Sequence, residues 1–386
     1  MRMVFRPLPC NITDGKGVQH IAKVSKLQME GDILKTLDLF CGCGGLSLGF
    51  QQAGYEIVGG IDLNPHAVAT FQHNFPQSVA IQGDLEALTI QDIEEKIPDL
   101  REVEVLIGGP PCQGFSSANR WTHETADVRN RLFFEFVELA EYIQPKAIII
   151  ENVRGIITRD NGHARDRIYQ IFEERGYNVC HRVLNASTYG VPQNRHRNFF
   201  VVTRDIEFDF DTLEEGTTTP TVGEALLEMY QFETRTNTSS HQFTTPATTE
   251  YQAYLRANDN LVQNHEIRYP AQAVQERIGH VPQGENWRAV PTELWPRQRD
   301  NRHSSAYRRL HEERPSVTID TGNTHSNYFH PTFNRLPSPR EAARLQSFPD
   351  SFFFTGTRSP QYVQVGNAVP PLLAKAIAGA LMEALQ

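Results

Sequence analysis

Short apolar runs alternate with amphipathic stretches from Leu34 to about Val202. Leu34–Phe40, Glu56–Asp62, Val79–Gln82, Val103–Gly109 and Ala147–Ile150 read as strands, because each is brief, β-branched or aliphatic, and closed by glycine or an acid. Between them, Gly45–Ala53, Pro65–Phe75 and Arg131–Ile143 carry helical periodicity, the second with Asn64 as N-cap and Pro65 at the first helical position. A helix at about Ala164–Arg175 precedes two more strands near Val179–Leu184 and Asn198–Val202. Such alternation predicts an α/β fold with a mostly parallel sheet. After Thr203 it stops. Asp205–Glu215 is acidic, Thr217–Thr249 holds eleven threonines, and the pattern to about residue 333 predicts a smaller second domain of loops and short strands. Helical pattern returns at Pro339–Gln346 and Pro370–Leu385, which predicts that the end of the chain rejoins the first domain. The expected organisation is an appendage at 1–31, a main domain at 32–204 with 334–386, and a second domain at 205–333.

The chain has 386 residues, 39% apolar and 22% charged, enough for a sizeable core and too apolar for wholesale disorder. No uninterrupted apolar run reaches the roughly 18 residues of a spanning helix, and the start lacks a signal-peptide pattern. Five cysteines without regular spacing argue against a secreted disulfide scaffold and for a reducing cytoplasm. The net charge of −9 argues against a polyanionic partner until its distribution is read. Asp84–Glu104 holds eight acids and two bases, whereas Arg297–Arg314 holds six arginines and three acids. One basic face on an acidic protein can still grip a nucleic acid; the plain alternative for that stretch is a solvated surface.

Candidate chemistry clusters at the predicted strand ends. Asp38-Leu-Phe-Cys-Gly-Cys-Gly-Gly-Leu-Ser47 sets Gly42, Gly44 and Gly45 between a strand and a helix, where backbone can approach a ligand. It departs from the dinucleotide pattern, with Ser47 where a third glycine would stand. Asp62 ends the next strand and Asp84 follows the third, so three successive strand ends carry polar groups suited to an adenosine-bearing cofactor; for either acid alone a helix cap is an equal reading. Gly108-Gly-Pro-Pro-Cys-Gln-Gly-Phe-Ser-Ser117 puts Cys112 at a strand end, and Ile148-Ile-Ile-Glu-Asn-Val153 puts Glu151 at the neighbouring one. Gln193-Asn-Arg-His-Arg197 sets two arginines on one side of an extended segment, and Gln364-Val-Gly-Asn-Ala-Val-Pro-Pro371 leads into the last helix. The other cysteines, Cys10, Cys41, Cys43 and Cys180, read as inert thiols. Cys41-x-Cys43 lacks zinc-knuckle spacing, and no metal is expected.

Taken in order, these motifs, with Arg340–Phe352 (RExARLQxFPDxF), resemble the cytosine-C5 DNA methyltransferase family, bacterial restriction-modification or orphan type, over about 34–204 and 334–386. The resemblance implies a Rossmann-like methyltransferase sheet domain plus a loop-rich target-recognition domain between QNRxR and RExARLQ. It implies S-adenosylmethionine as cofactor, with S-adenosylhomocysteine as product. Phe40 would lie against the adenine, Gly42, Gly44 and Gly45 beside the methionine moiety, Asp62 on the ribose, Asp84 on the adenine amine, Leu63 in an aliphatic adenine contact, and Asn367 at the methionine end, with Pro111 a further cofactor contact.

The resemblance further implies that Cys112, as thiolate, attacks cytosine C6. Glu151 would bind N3 and the 4-amino edge, Arg195 would orient the base, and Arg197 would buttress the site. Gly114–Asn130 would close over a flipped-out nucleotide in double-stranded DNA. Gln113, Ser116, Arg297, Arg299 and Arg302 are the expected DNA contacts. A monomeric, bacterial cytoplasmic protein working at the nucleoid, with any cognate restriction endonuclease acting separately and no membrane partner, fits this reading. Two alternatives stand beside it: a transfer-RNA cytosine-C5 methyltransferase, whose Cys-Phe-Thr signature is absent from 205–333, and a non-catalytic DNA-binding homologue, which the intact Cys112, Glu151, Arg195 and Arg197 oppose.

Overall fold

The computed structural model describes residues 33–111, 131–158, 162–235, 238–257, 259–296, 307–321 and 328–386. The appendage expected at 1–31 lies outside them.

In chain order the main elements begin with β1 Lys35–Leu39, α1 Gly45–Gln52, β2 Glu56–Asp62, α2 Pro65–Asn74, β3 Val79–Gln82 and α3 Ile90–Lys96. They continue with β4 Val105–Gly108, α4 Arg131–Ile143, β5 Ala147–Val153, α5 His163–Glu173, β6 Asn178–Asn185 and β7 His196–Thr203. The seven strands form one sheet in the order β3-β2-β1-β4-β5-β7-β6. β1 to β5 run parallel, and β7 lies antiparallel to both β5 and β6.

Side-chain alternation sorts the sheet into two buried faces. Val105, Ile107, Ala147, Ile149, Phe199 and Val201 look toward one core, and Leu106, Ile148, Ile150, Phe200 and Val202 toward the other. α4 and α5 cover the second face through Phe133, Phe136, Ile168 and Phe172. The first face is covered by α1 and by the C-terminal helices α9 Pro339–Leu345, α10 Arg358–Asn367 and α11 Pro371–Leu385, numbered after α6–α8 below. Thus the end of the chain rejoins the sheet. Gly49 lets α1 lie directly against α11, because a Cβ there would overlap Ala374 and the Pro371 carbonyl. Residues 358–385 are apolar and long enough for a membrane span by composition, but they are two helices broken at Ala368–Pro370 and half-buried.

The segment 205–333 is more helical than its threonine content suggests. It contains α6 Val222–Leu226, α7 Glu250–Arg256 and α8 Gln272–Gly279, with two-residue ladders between His241–Gln242 and Leu261–Val262 and between Arg308–Arg309 and Tyr328–Phe329. Thr221 and Thr249 are N-caps, accepting from the Glu224 and Gln252 amides, so threonines that read as strand or loop formers in fact start helices. Part of this segment shares the main core through Phe210, Val222, Leu226, Tyr251, Leu255 and Ile319. Two small clusters have all their buried members in it: one of Ile278, Val281, Val290, Tyr307 and Phe329, the other of Met229, Phe232, Phe243 and Val262.

The motif Arg340–Phe352 joins this segment to α9 by buried charge. Arg344 donates Nε to Asp350 Oδ1 at 2.8 Å, Nη1 to Glu228 Oε1 at 2.6 Å and to the Ala225 carbonyl at 3.0 Å. Arg335 makes paired bonds to Glu341 at 2.7 and 2.9 Å and to Glu233 at 2.9 and 2.6 Å. Arg344 and Asp350 are fully buried. Asp350→Ala, which strands part of a buried guanidinium, is expected to lower unfolding free energy by about 3–5 kcal/mol in urea titration. A loss below about 1 kcal/mol would show the pair to be worth no more than a surface bridge.

Candidate active site

The strands β1, β2, β4 and β5 end on one edge of the sheet, and the residues just beyond them enclose a cavity of about 440 Å³. Ligands bind at that edge in open α/β sheets because the chain reverses there and backbone groups are free. Asp38, Phe40, Gly42, Gly45, Asp62, Asn64, Gly109, Pro111, Glu151, Gln364 and Asn367 all contribute to its wall.

The glycine turn is built for close approach. Phe40 and Gly42 both have left-handed backbone, φ 61° and 55°, and Gly44, φ 95°, is the N-cap of α1. Asp62 latches the turn: its carboxylate accepts from the Gly42 amide at 2.9 Å and from the Asn64 amide at 2.8 Å. Asn64, not Asp62, caps α2, through the His66 and Ala67 amides. Beneath the turn Asp38 is buried against Ser47, and burial pushes its carboxyl up to about 8. Cys41 and Cys43 are buried free thiols, raised by the same desolvation, and Cys180 is a free thiol pushed up to about 11; all three match the inert reading.

Of the cofactor residues expected from sequence, Phe40, Gly42, Gly45, Asp62, Pro111 and Asn367 meet around this one cavity. Gly44, Leu63 and Asp84 are not in its wall. Leu63 is an exposed apolar side chain, and Asp84 accepts from the Glu86 amide at 3.1 Å in an exposed turn. Asp38, Asn64 and Gln364 were missed. Asp38 and Gln364 each keep one buried side-chain oxygen with no hydrogen-bond partner, Oδ1 and Oε1. Their unpaired acceptors, the exposed edge of a latched turn and the Asp62 carboxylate fit a ligand that carries N–H and hydroxyl donors, as S-adenosylmethionine does.

Glu151 forms the opposite wall, on β5. Its Oε1 accepts from Arg197 Nε at 2.8 Å, with side chains 14% and 16% exposed. Gly109 leaves room for it, since a Cβ there would lie 3.1 Å from Glu151 Oε2. Burial raises the Glu151 carboxyl above its ordinary range, while the charges of Arg197 and Arg195 pull it back. One residue on, Asn152 donates Nδ2 to the Pro110 carbonyl at 2.9 Å and so anchors the chain two residues before Cys112. Cys112, Gln113, Ser116 and the loop to Asn130 lie outside the described residues, as do Arg297, Arg299 and Arg302.

The two arginines of QNRxR sit in different surroundings. Arg197, expected to buttress the site, pairs with Glu151. Arg195, expected to orient the base, is instead fully buried, donating to the carbonyls of Ile319 and Gly366 at 2.7 and 2.8 Å. The reason is strand geometry: the antiparallel register pairs Arg197 with Val153, beside Glu151, while Arg195 precedes the strand and turns into the packing below. Removing the Arg197 charge takes away a stabiliser of the carboxylate, so in Arg197→Met the Glu151 carboxyl should titrate at higher pH than in wild type. Carboxyl-carbon NMR would follow it; an unchanged or lower titration point would refute the pairing.

Residues 34–383 match the family described as C-5 cytosine-specific DNA methylase. The chain is similar to Type II methyltransferase M1.HphI of Haemophilus parahaemolyticus, 38% identical over 355 residues, covering 91% of this chain and 87% of the relative. It is also similar to Type II methyltransferase M.DdeI of Desulfomicrobium norvegicum, 34% identical over 379 residues, covering 89% and 88%. Among solved structures, a prophage-encoded protein of E. coli superposes with a TM-score of 0.74 at 26% identity, covering 91% of this chain and 99% of that one. S. pombe Dnmt2 methyltransferase shares the fold, with a TM-score of 0.59 at 18% identity and coverage of 92% and 99%. The cavity at the strand ends, the latched glycine turn, the arginine-paired Glu151 and the matched relatives together place this chain in the C-5 cytosine-specific DNA methylase family, enzymes that move a methyl group from S-adenosylmethionine to C5 of cytosine in DNA.

Proposed function

We propose that the enzyme methylates a cytosine flipped out of a specific duplex site, through a covalent bond between Cys112 and C6. One observation carries this reading: Pro111, the residue before Cys112, and Glu151 line the same cavity as the glycine turn. The residue that leads into Cys112, the Glu151 carboxyl and the glycine turn thus share one wall, which supports a single site for base and cofactor.

Cytosine C5 is a weak nucleophile. Addition of the Cys112 thiolate to C6 forms an S–C6 bond and moves the ring's electron pair toward N3, which takes up a proton. Glu151, raised by burial, is suited to share that proton at N3 and to accept from the 4-amino group. Arg197 sets the carboxyl's orientation and limits how far its affinity for the proton rises. S-adenosylmethionine, when bound, supplies an electrophilic methyl group. C5, now electron-rich, takes that methyl, with S-adenosylhomocysteine left behind; loss of the C5 proton to a base, return of the N3 proton to Glu151 and cleavage of the S–C6 bond restore the aromatic ring and free Cys112. Phe40, Asp62 and Asn367 are the residues suited to hold adenine, ribose and the methionine end, Gly42 and Gly45 give the cofactor its close backbone approach, and Pro111 closes the wall beside Cys112. Leu63 and Asp84 remain proposed adenine contacts from the outer side.

The domain reading assigns the sheet and C-terminal helices to catalysis and 205–333 to target recognition; the separate small clusters around Ile278 and Phe232 support it. The enzyme is further proposed to be bacterial, cytoplasmic and monomeric, with any restriction endonuclease a separate chain; the type II names of the two relatives bear on the last of these alone.

The chemistry is tested by Cys112→Ala, expected to abolish methylation with cofactor binding kept, and by duplex DNA carrying 5-fluorocytosine, expected to trap wild type as a covalent adduct. Turnover above a trace in Cys112→Ala would overturn the mechanism. Recognition is tested by Ala substitution of Arg297, Arg299 and Arg302, measured at two salt concentrations on cognate and scrambled duplexes. Loss of a base contact should cost about 1–3 kcal/mol on the cognate site only, and loss of a phosphate contact should weaken both duplexes and flatten the salt dependence. Three variants that match wild type on both duplexes would remove this stretch from the interface.

A further inference from the structure

Gln193 and Arg195 are fully buried, and their side chains bond to segments distant in sequence. Gln193 accepts from the Ile319 amide at 2.9 Å and donates to the Leu345 carbonyl at 3.1 Å. Arg195 donates Nη1 to the Ile319 carbonyl at 2.7 Å and Nη2 to the Gly366 carbonyl at 2.8 Å. Backbone bonds lace the same segments, from the Asn194 amide to the Ser316 carbonyl and from the Ser316 amide to the Pro192 carbonyl, both 2.8 Å.

Gly366 is where the contact closes. A Cβ on it would stand 2.5 Å from the Asp320 carbonyl carbon and from the Thr321 nitrogen, so the last turn of α10 and residues 320–321 meet backbone to backbone. The next three residues, Asn367, Ala368 and Val369, line the cavity.

Among the described residues no carboxylate lies within ion-pair distance of Arg195, and burial pulls its guanidinium down to about 9. A charge buried without a paired carboxylate is costly. What arginine supplies here is a rigid fork whose two ends reach carbonyls on two separate segments.

We infer that Arg195 is a positioning residue for the cofactor: by fastening Gly366 to Ile319 it fixes the Asn367–Val369 wall against which the methionine end is held. The inference rests on the proposed placement of that end at Asn367. Arg195 then acts without touching the base. Because residues 316–321 lie within the span 205–333 read as target recognition, the same fork ties that span to the cofactor wall.

The test compares two probes by calorimetry, without DNA. S-adenosylhomocysteine carries the amino-acid end; 5′-deoxy-5′-methylthioadenosine has the adenosine and sulfur but lacks it. Arg195→Met should weaken S-adenosylhomocysteine by about tenfold or more, as expected when a wall shifts by a fraction of an ångström, and leave methylthioadenosine within about twofold. Retained methylthioadenosine binding also shows that the variant is folded. Arg195→Lys, which keeps donors, should recover part of the loss. Gly366→Ala, which pries the contact open from the other side, should reproduce the selective loss. Equal weakening of both probes, or weakening of neither, overturns the inference; a base-contacting Arg195 would leave both affinities intact and lower kcat on DNA instead. If wild type binds methylthioadenosine but gains nothing from the amino-acid end, the placement at Asn367 fails. If wild type binds neither probe, the cofactor reading itself fails.

Discussion

The antiparallel pairing of β5 with β7 is the constraint on which the site depends. Its register sets Val153 opposite Arg197 and Asn152 opposite Asn198. Side chains alternate across a strand, so a slip of one residue would send Arg197 to the other face and leave Glu151 buried without its cation. On the same strand, Asn152 points the other way and grips the Pro110 carbonyl. One register therefore sets the carboxyl, its counter-charge and the approach of the chain to Cys112. The buried apolar runs Ile148–Ile150 and Phe199–Val202, packed on both faces, are what make that register hard to shift.

The cofactor side is built by close approach of backbone. The left-handed turn after β1 is held by the Asp62 carboxylate, and α1 can follow it directly because small residues let α11 pack against its backbone. The C-terminal helices are thus both core and cavity wall: α11 fills the sheet face, while the end of α10 supplies Asn367. Through this double use the cavity wall forms only when the C-terminal segment packs on the sheet. The buried arginines at 335, 340 and 344 secure the return, each spending its donors on carboxylates or carbonyls of the intervening segment or of the motif itself.

Much of this was legible in the sequence. β2, α2 with its Asn64 cap, α4 and the start of α11 stand where hydrophobic period and capping residues put them, because in these elements local preference and tertiary packing agree. α3 was hidden in the acidic stretch Asp84–Glu104, which was weighed for its charge alone, although Thr89 and Asp92 form a capping box at its start. The helices of 205–333 were hidden by threonine, whose role as cap depends on a helix too short to show a period. For the site, motif order found the right strand ends but could not divide labour between Arg195 and Arg197. Both are arginines of one motif, and only the packing of residues 319 and 366, distant in sequence, separates them. Asp38 and Gln364 escaped for a similar reason, since burial beside a cavity leaves no mark in local sequence.

The central claim is that methyl groups go to C5 of cytosine at a defined duplex sequence. Bisulfite sequencing of plasmid DNA incubated with the purified protein and S-adenosylmethionine reads this directly. The account predicts cytosines protected from conversion at every copy of one short sequence and nowhere else, with no protection when S-adenosylmethionine is omitted. Full conversion of all cytosines after incubation with cofactor, while labelled methyl appears on adenine or on RNA, would contradict it.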